Sequence, residues 1–334
     1  MAWKRTILDA ARRSGALGAV GRIYGADRIT VLAYHRVVDH TAPGFPAFAG
    51  NVSASPQEFA DQMEWLSRHF TVVSLDEVVA AVGGAPLPDR AALITFDDGY
   101  RDNHDHALPV LRRRGLPAVL FVATDHIRTG EPFWWDRAAA VFAAGEGAAD
   151  LPLLGPTRWG EDDARALASR WIARAKELPD GELRSAVEDL AAVRPGLALD
   201  GLVLDWDGVR QMAAHGVAIG GHTRTHPILT RVSLEQASDE IRLGREEVQA
   251  EVEGPVVGFA YPNGMAADFD DSTVSAVAAA GFRVAFSLVP GPSRRRELAD
   301  DPLRVRRIYI HHGDGLARFA AKVAGVPRLT GAMR

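Results

Sequence analysis

The chain contains no cysteine, which excludes disulfides, thiolate zinc sites, iron–sulfur clusters and cysteine nucleophiles together. Any metal must then be held by His, Asp or Glu. Long hydrophobic runs are also missing: no stretch approaches the roughly 18 uninterrupted apolar residues of a membrane-spanning helix, so no transmembrane span is expected. Nor is there an excess of positive charge. Lys plus Arg number 38 against 43 for Asp plus Glu, a formal net charge of −5, which leaves no global basic field to gather nucleic acid. Internal repeats and low-complexity tracts are absent. What remains is 334 residues, 47% hydrophobic and 24% charged, the composition of a globular protein with a substantial core.

Residues 1–28 form a basic segment in which Lys4, Arg5, Arg12, Arg13, Arg22 and Arg28 outnumber Asp9 and Asp27. The apolar positions between them never build the continuous core of a secretory signal, and the segment reads as helical. Two readings stay open: a helix packed on the domain, which is preferred, and an amphipathic helix making peripheral contact with an anionic membrane face. The expected location is the cytoplasm, with the inner membrane face as the alternative allowed by the second reading. Residues 327–334 read as a tail.

From 29 to 326 short apolar runs alternate with amphipathic helices. Strands are predicted at 29–34, 71–74, 91–96, 118–122, 217–221, 256–260, 284–286 and 305–310, with helices near 205–215, 233–252 and 272–280. The helix near 55–70 has the clearest start. Ser55 and Glu58 make a capping box, Pro56 takes the first helical position, and Phe59, Met63 and Leu66 share one face. Between 131 and 200 the rhythm shifts to Ala, Arg, Glu and Asp with few β-branched residues, which predicts a helical insertion. The whole reads as an α/β fold, a parallel sheet with helices outside, closed or nearly closed into a barrel.

Reactive groups of such barrels sit on the loops after the strands. His35, the pair Asp97 and Asp98, His222, Tyr261-Pro262-Asn263-Gly264 and His311 each follow a predicted strand. Adjacent carboxylates at a strand end point to different sides, so one can bind a cation while its neighbour stays free. His222 and His226 are spaced to bring two imidazoles to one ion, and with one Asp they form a His₂-carboxylate set with open positions. An isolated Asp-Gly corner caps a turn, and a lone HxxxH is weak; the combination carries the inference. Pro227 disfavours a helix at His226, so the pair belongs to a turn leaving a strand.

Thr95-Phe96-Asp97-Asp98-Gly99-Tyr100, His222-Thr223-Arg224-Thr225-His226-Pro227 and Phe259-Ala260-Tyr261-Pro262-Asn263-Gly264 closely resemble, in order and spacing, the motifs of the NodB-homology polysaccharide deacetylases, carbohydrate esterase family 4. The resemblance spans about 29–310. The opening Leu32-Ala33-Tyr34-His35-Arg36-Val37 is similar to the branch in which a strand that is last in most members is moved to the front. The resemblance implies a distorted (β/α)7 TIM-like barrel, a bacterial type of protein, and metal-dependent removal of N-acetyl groups from a polysaccharide or lipid-linked saccharide. It implies Asp98, His222 and His226 as metal ligands, with zinc the best match and cobalt or nickel as alternatives, and Asp97 as general base. The oxyanion would be met by the metal and a backbone N–H at Asn263 after the Tyr261-Pro262 turn. His35 is assigned as general acid, and His311 is its rival.

Where most members carry an arginine that holds the base, this chain has Ala260, so Arg306 or Arg307 is expected to supply the tether. Phe133-Trp134-Trp135-Asp136 opens the insertion. Its rings suit stacking on a sugar, with packing anchor as the competing reading for Trp134 and Trp135, while Asp136 is placed to reach the site. Two alternatives stay open: the same site acting on another amide or ester, such as a formamide or O-acetyl group, and a non-catalytic carbohydrate-binding barrel.

Overall fold

The runs 91–96 and 118–122 are apolar at nearly every position, as strands covered on both faces demand. In the structure, a computed structural model describing residues 27–42 and 45–326 together with residues 10, 11, 14 and 17, both are strands with every residue buried. The barrel strands are β1 (Arg28–Tyr34), β2 (Ala91–Phe96), β3 (Ala118–Val122), β4 (Val217–Gly221), β5 (Gly258–Ala260), β6 (Val284–Pro290) and β7 (Val305–Tyr309). All neighbours run parallel, and β1 closes the ring by pairing with β2 on one side and β7 on the other. The closure with β2 is long, from Ile29 opposite Ala91 to Tyr34 opposite Phe96. The ring is uneven elsewhere: β4 meets β5 through Gly221 and Phe259, and the β6–β7 register shifts between Phe286 and Pro290. This is the distorted seven-stranded barrel.

Side-chain alternation sorts the cores. Ile29, Val31, Ala91 and Leu93 join Val119, Phe121, Phe286 and Val305 in the inner cluster, which takes in Val78 and Val79 of the helix Leu75–Val82. Leu32, Tyr34, Ala92, Ile94 and Phe96 belong to the outer cluster under the surrounding helices. The same parity carries His35 and Asp97 inward at the carboxyl ends of β1 and β2. The helix Pro56–His69 starts at Ser55 with its capping box formed.

The insertion is not wholly helical. It holds the helices Trp134–Ala143, Glu161–Ala175 and Asp180–Ala191, and an antiparallel hairpin, Gly147–Leu151 with Gly155–Trp159, joins the first of them to the second. Its strands lack β-branched alternation, and they are pinned by the Trp159 ring, which lies where a side chain on Gly147 would be and packs on Phe142 at 5.5 Å. Apart from residues 10, 11, 14, 17, 27 and 28, the basic segment 1–28 lies outside the described residues, as does the tail 327–334. Among the described residues no helix is long and apolar enough to cross a membrane.

Gly220 on β4 is a tight point: a Cβ there would lie 2.5 Å from the Phe121 ring and 2.7 Å from the Gly258 carbonyl oxygen. Backbone on the far side leaves little room to yield, so Gly220→Ala is expected to lower stability by about 1–3 kcal/mol, measured by urea unfolding. An unchanged midpoint would show that β3, β4 and β5 separate at no cost.

Candidate active site

The carboxyl end of β2 separates two adjacent carboxylates. Asp97 continues the ladder, its N–H donating to the Tyr34 carbonyl at 2.9 Å, and its side chain points into the barrel. There Arg307 of β7 grips it with two parallel bonds, Nη1 to Oδ1 at 2.7 Å and Nη2 to Oδ2 at 2.8 Å. The guanidinium also donates to Thr95 Oγ1 and the Ser287 carbonyl, and it is fully buried. Burial pushes the Asp97 carboxyl upward, but Arg307, His222 and His35 together outweigh it and hold it below the usual carboxylate range. Of the two candidate tethers Arg307 therefore makes the contact. Arg306, one residue out of phase, faces a separate groove beside Asp300 and Asp301.

Asp98 turns the other way because its backbone adopts φ +76°, followed by Gly99 at +88°. A Cβ on Gly99 would sit 2.7 Å from Ile127. Thr223, His226 and Asn263 also hold positive φ, a conformation that is unusual for any residue but glycine and strained for β-branched threonine. The Thr223 hydroxyl accepts the His226 N–H at 3.1 Å, folding the loop so that the two imidazoles stand 4.7 Å apart. Glu240, from the helix Leu234–Glu251, clamps the same loop by accepting both the Arg224 and Thr225 N–H groups at 2.8 Å.

His222 Nδ1 is 2.7 Å from the Ala260 carbonyl, which fixes Nε2 toward Asp98. Nε2 of His222 and of His226 each lie 3.4 Å from Asp98 Oδ1, and the three ligand atoms fall within 4.8 Å of one another. Both Asp98 oxygens are buried without a hydrogen-bond partner, a costly state for a carboxylate that a cation between the three groups relieves. Burial and the neighbouring His222 push His226 down to about 3, leaving it neutral, the form that coordinates. The donor set fits a divalent ion.

His35 is largely buried beside this centre, with Nε2 3.9 Å from Asp97 Oδ2 and its ring edge-on to Tyr309 at 5.3 Å. Burial lowers its pKa against the pull of Asp98 and Asp97. Its carbonyl accepts from Asn103 Nδ2 and its N–H donates to Ser53 Oγ. His311 does not share the site. Asp314 takes its N–H, and the chain turns so that its ring packs on His312 at 4.0 Å.

The third motif splits likewise. Asn263 faces the cleft, and its backbone N–H has no hydrogen-bond partner among the described residues. Its side chain is fixed by donation to Asp268 Oδ2 at 2.6 Å and acceptance from Lys176 Nζ at 2.7 Å. Tyr261 is not a substrate contact: its N–H is used by the Phe286 carbonyl, its hydroxyl donates to the Leu303 carbonyl, and its ring stacks on Phe269 at 4.3 Å.

Trp134 lines the cleft half-exposed. Trp135 is a packing anchor at the cleft wall, 4.9 Å from the His226 ring and donating Nε1–H to the Tyr100 hydroxyl at 2.7 Å. That hydroxyl donates to Asp136 Oδ2, and Asp136 Oδ1 accepts the Phe48 N–H. Asp136 is therefore fully buried and does not reach the cleft. Burial pushes it up to about 6 despite the opposing Arg36. Sequence reasoning also missed Glu240 and Lys176, whose distance along the chain from the motifs gave no signal, and it left Tyr100, the last residue of the first motif, without a role.

A cleft of about 740 Å³ opens over the three-residue cluster. Asp98, His35, His226 and Asn263 line its floor, and Trp134, Lys176 and Leu183 bring the insertion in as a wall.

Comparison with known proteins gives a match of residues 84–285 to the profile of the family described as polysaccharide deacetylase. The Tyr34-His35-Arg36 stretch lies outside that match. A poly-beta-1,6-N-acetyl-D-glucosamine N-deacetylase of Staphylococcus epidermidis is 36% identical over 78 residues, 23% of this chain and 27% of that protein. The putative polysaccharide deacetylase YxkH of Bacillus subtilis is 30% identical over 98 residues, 28% and 32% of the two chains. The chain thus spans about a third or less of the length of these curated relatives. Among solved structures, the Streptococcus pyogenes deacetylase PplD in complex with acetate aligns with a TM-score of 0.59 at 17% identity, covering 92% of this chain and 98% of that one. IcaB from Ammonifex degensii aligns at 0.57 and 20% identity, covering 89% and 97%. Both share the fold.

Removing Arg307 leaves Asp97 buried and unpaired, so Arg307→Ala is expected to cost about 3–5 kcal/mol, and Arg307→Lys to recover only part, lacking the fork. The paired carboxyl sits below its unfolded value. Its contribution is therefore complete above about pH 4 and fades as pH falls through the folded value. Urea unfolding of metal-free protein should show a deficit that is widest at neutral pH and narrows on acidification; a deficit independent of pH would place the loss in packing instead.

Proposed function

Because the chain belongs to the polysaccharide deacetylase family, we propose that it is a metal-dependent hydrolase that removes N-acetyl groups from a polysaccharide or lipid-linked saccharide. The observation that carries this reading is the pair of neighbouring carboxylates with opposite environments: Asp98 bare between two imidazoles, and Asp97 locked by Arg307. The short matches to hexosamine-polymer deacetylases support an N-acetylated saccharide as partner.

Asp98, His222 and His226 would hold the divalent ion; two imidazoles and one carboxylate suit zinc, and cobalt or nickel accept similar ligands. When bound, the ion acidifies water and polarises the acetamide carbonyl. Asp97, kept ionised by Arg307, accepts the proton of the attacking water. Arg307 also fixes the direction in which that carboxylate can reach. The Asn263 N–H offers a hydrogen bond to the oxygen on which charge develops. The amine leaves only after protonation, and His35, facing Asp97 from the adjacent strand, is placed to donate to it. Trp134, half-exposed at the cleft wall, gives a sugar ring a face to stack on.

Acetate release from N-acetylated hexosamine oligosaccharides by the zinc-loaded protein tests the reading. Asp97→Asn should lower turnover by about 10²–10⁴-fold with bound zinc unchanged, whereas Asp98→Ala should lose the metal itself, read by elemental analysis. Undiminished turnover in Asp97→Asn would reject the base assignment, and absence of acetate with the zinc-loaded protein would reject the substrate class.

The pH profile separates the two histidines. Burial lowers the His35 pKa, so its donating form is lost as pH rises through that lowered value and kcat/KM falls on the alkaline side. His35→Ala should lose about 10²-fold or more in rate together with that limb, and His311→Ala should keep both. The opposite result would return the acid role to His311.

A further inference from the structure

The insertion's contribution to the cleft contains a cation whose partner is not an anion. Three non-histidine cations line the cleft: Arg137, Lys176 and Arg184. Arg137 makes a forked contact with Glu188 at 2.8 and 3.1 Å, and Arg184 pairs with Asp180 at 2.7 Å. Lys176, at the end of the helix Glu161–Ala175, donates instead to the neutral Oδ1 of Asn263 at 2.7 Å. That amide cannot rotate to serve it differently, because Nδ2 is held by Asp268.

The electrostatics of this corner change when the metal site is filled. Burial lowers the Lys176 pKa, and Asp98 is foremost among the groups that oppose the shift, with Asp268 behind it. A divalent ion held by Asp98 would offset that compensation, leaving Asp268 as the remaining carboxylate that opposes the shift. Asp97 cannot replace Asp98, since its charge is matched by Arg307. An ammonium has three donors, and the bond to Asn263 uses one. The corner is thus a half-buried, under-compensated cation on the same residue whose backbone N–H faces the cleft.

We propose that Lys176 marks a subsite for an anionic substituent, a carboxylate or a phosphate, carried by the saccharide next to the acetamido group. This rests on the deacetylase reading above and narrows its substrate class. Lys176 is then a specificity residue supplied by the insertion, and the barrel rim supplies the chemistry.

Tryptophan fluorescence reports on the cleft, since Trp134 and Trp135 line it. Zinc-loaded wild type, Lys176→Met and Lys176→Arg are titrated with N-acetylglucosamine, N-acetylglucosamine 1-phosphate and N-acetylmuramic acid. The two charged sugars distinguish phosphate from carboxylate. At least one of them should bind wild type on the order of tenfold more tightly than the neutral sugar. That ratio should fall to about one in Lys176→Met and survive in part in Lys176→Arg. Equal affinities in wild type overturn the inference, and so does an advantage that persists in Lys176→Met, which would assign the anion to the zinc. If Lys176→Met does not fold, Lys176→Gln takes its place. Acetate release from a neutral N-acetylated oligosaccharide by the same wild-type preparation keeps the two readings apart. Release without anionic preference removes only the subsite, and no release removes the reaction it serves.

Discussion

One buried ion pair, Arg307 with Asp97, decides what the rest of the rim can do. Two carboxylates follow one another at the end of β2, and left to themselves so close together they would repel and share a proton. The guanidinium arriving from β7 takes one of them out of that competition. The other is swung by a left-handed backbone into the space between two imidazoles. A single guanidinium thus gives one residue a fixed charge and direction and leaves its neighbour without any protein donor. It also ties the second barrel strand to the last one, so the electrostatic arrangement and the closure of the ring support each other.

The cost of this arrangement is visible in the backbone. Asp98, Thr223, His226 and Asn263 all adopt conformations that glycine would adopt more readily, and each belongs to a loop that presents a group to the cleft. Such strain persists only where neighbours over-determine it. Glu240 and the Thr223 hydroxyl do so for the histidine loop, the Asp268 carboxylate for the Asn263 turn, and the packing of Ile127 against Gly99 for the aspartate corner. Trp135, held by Tyr100 and through it by Asp136, backs His226 from the insertion side.

Strands 91–96, 118–122 and 217–221 could be placed to the residue from the sequence, because an inner strand of a closed sheet is covered on both faces and its apolar run ends where the cover ends. The strand predicted at 284–286 continues to Pro290 because its later residues are only half-buried and lack that mark. The hairpin of the insertion was unreadable: glycine, alanine and proline dominate it, and its stability comes from a tryptophan lying over a glycine. Motif residues were found because they are local. The tether was ambiguous because Arg306 and Arg307 differ only in which face of β7 they occupy, something a register decides and a sequence does not print. Tyr261 and His311 were misplaced for a related reason. Following a strand is not the same as facing its rim, and in both cases the next turn directs the side chain or the chain away.

The way β1 closes the ring has a consequence for how the chain is made. The first barrel strand finds β2 early in synthesis and matches it over six consecutive residues, from Ile29 to Tyr34. Its other edge must wait for β7, whose matched residues Ile308 and Tyr309 belong to the last barrel strand in chain order. Throughout that interval an apolar strand is half-satisfied, with a row of free amides and carbonyls open to any extended segment that passes. Biogenesis therefore hinges on shielding one edge until the last barrel strand arrives, and the nascent barrel is most exposed to mispairing just before it closes.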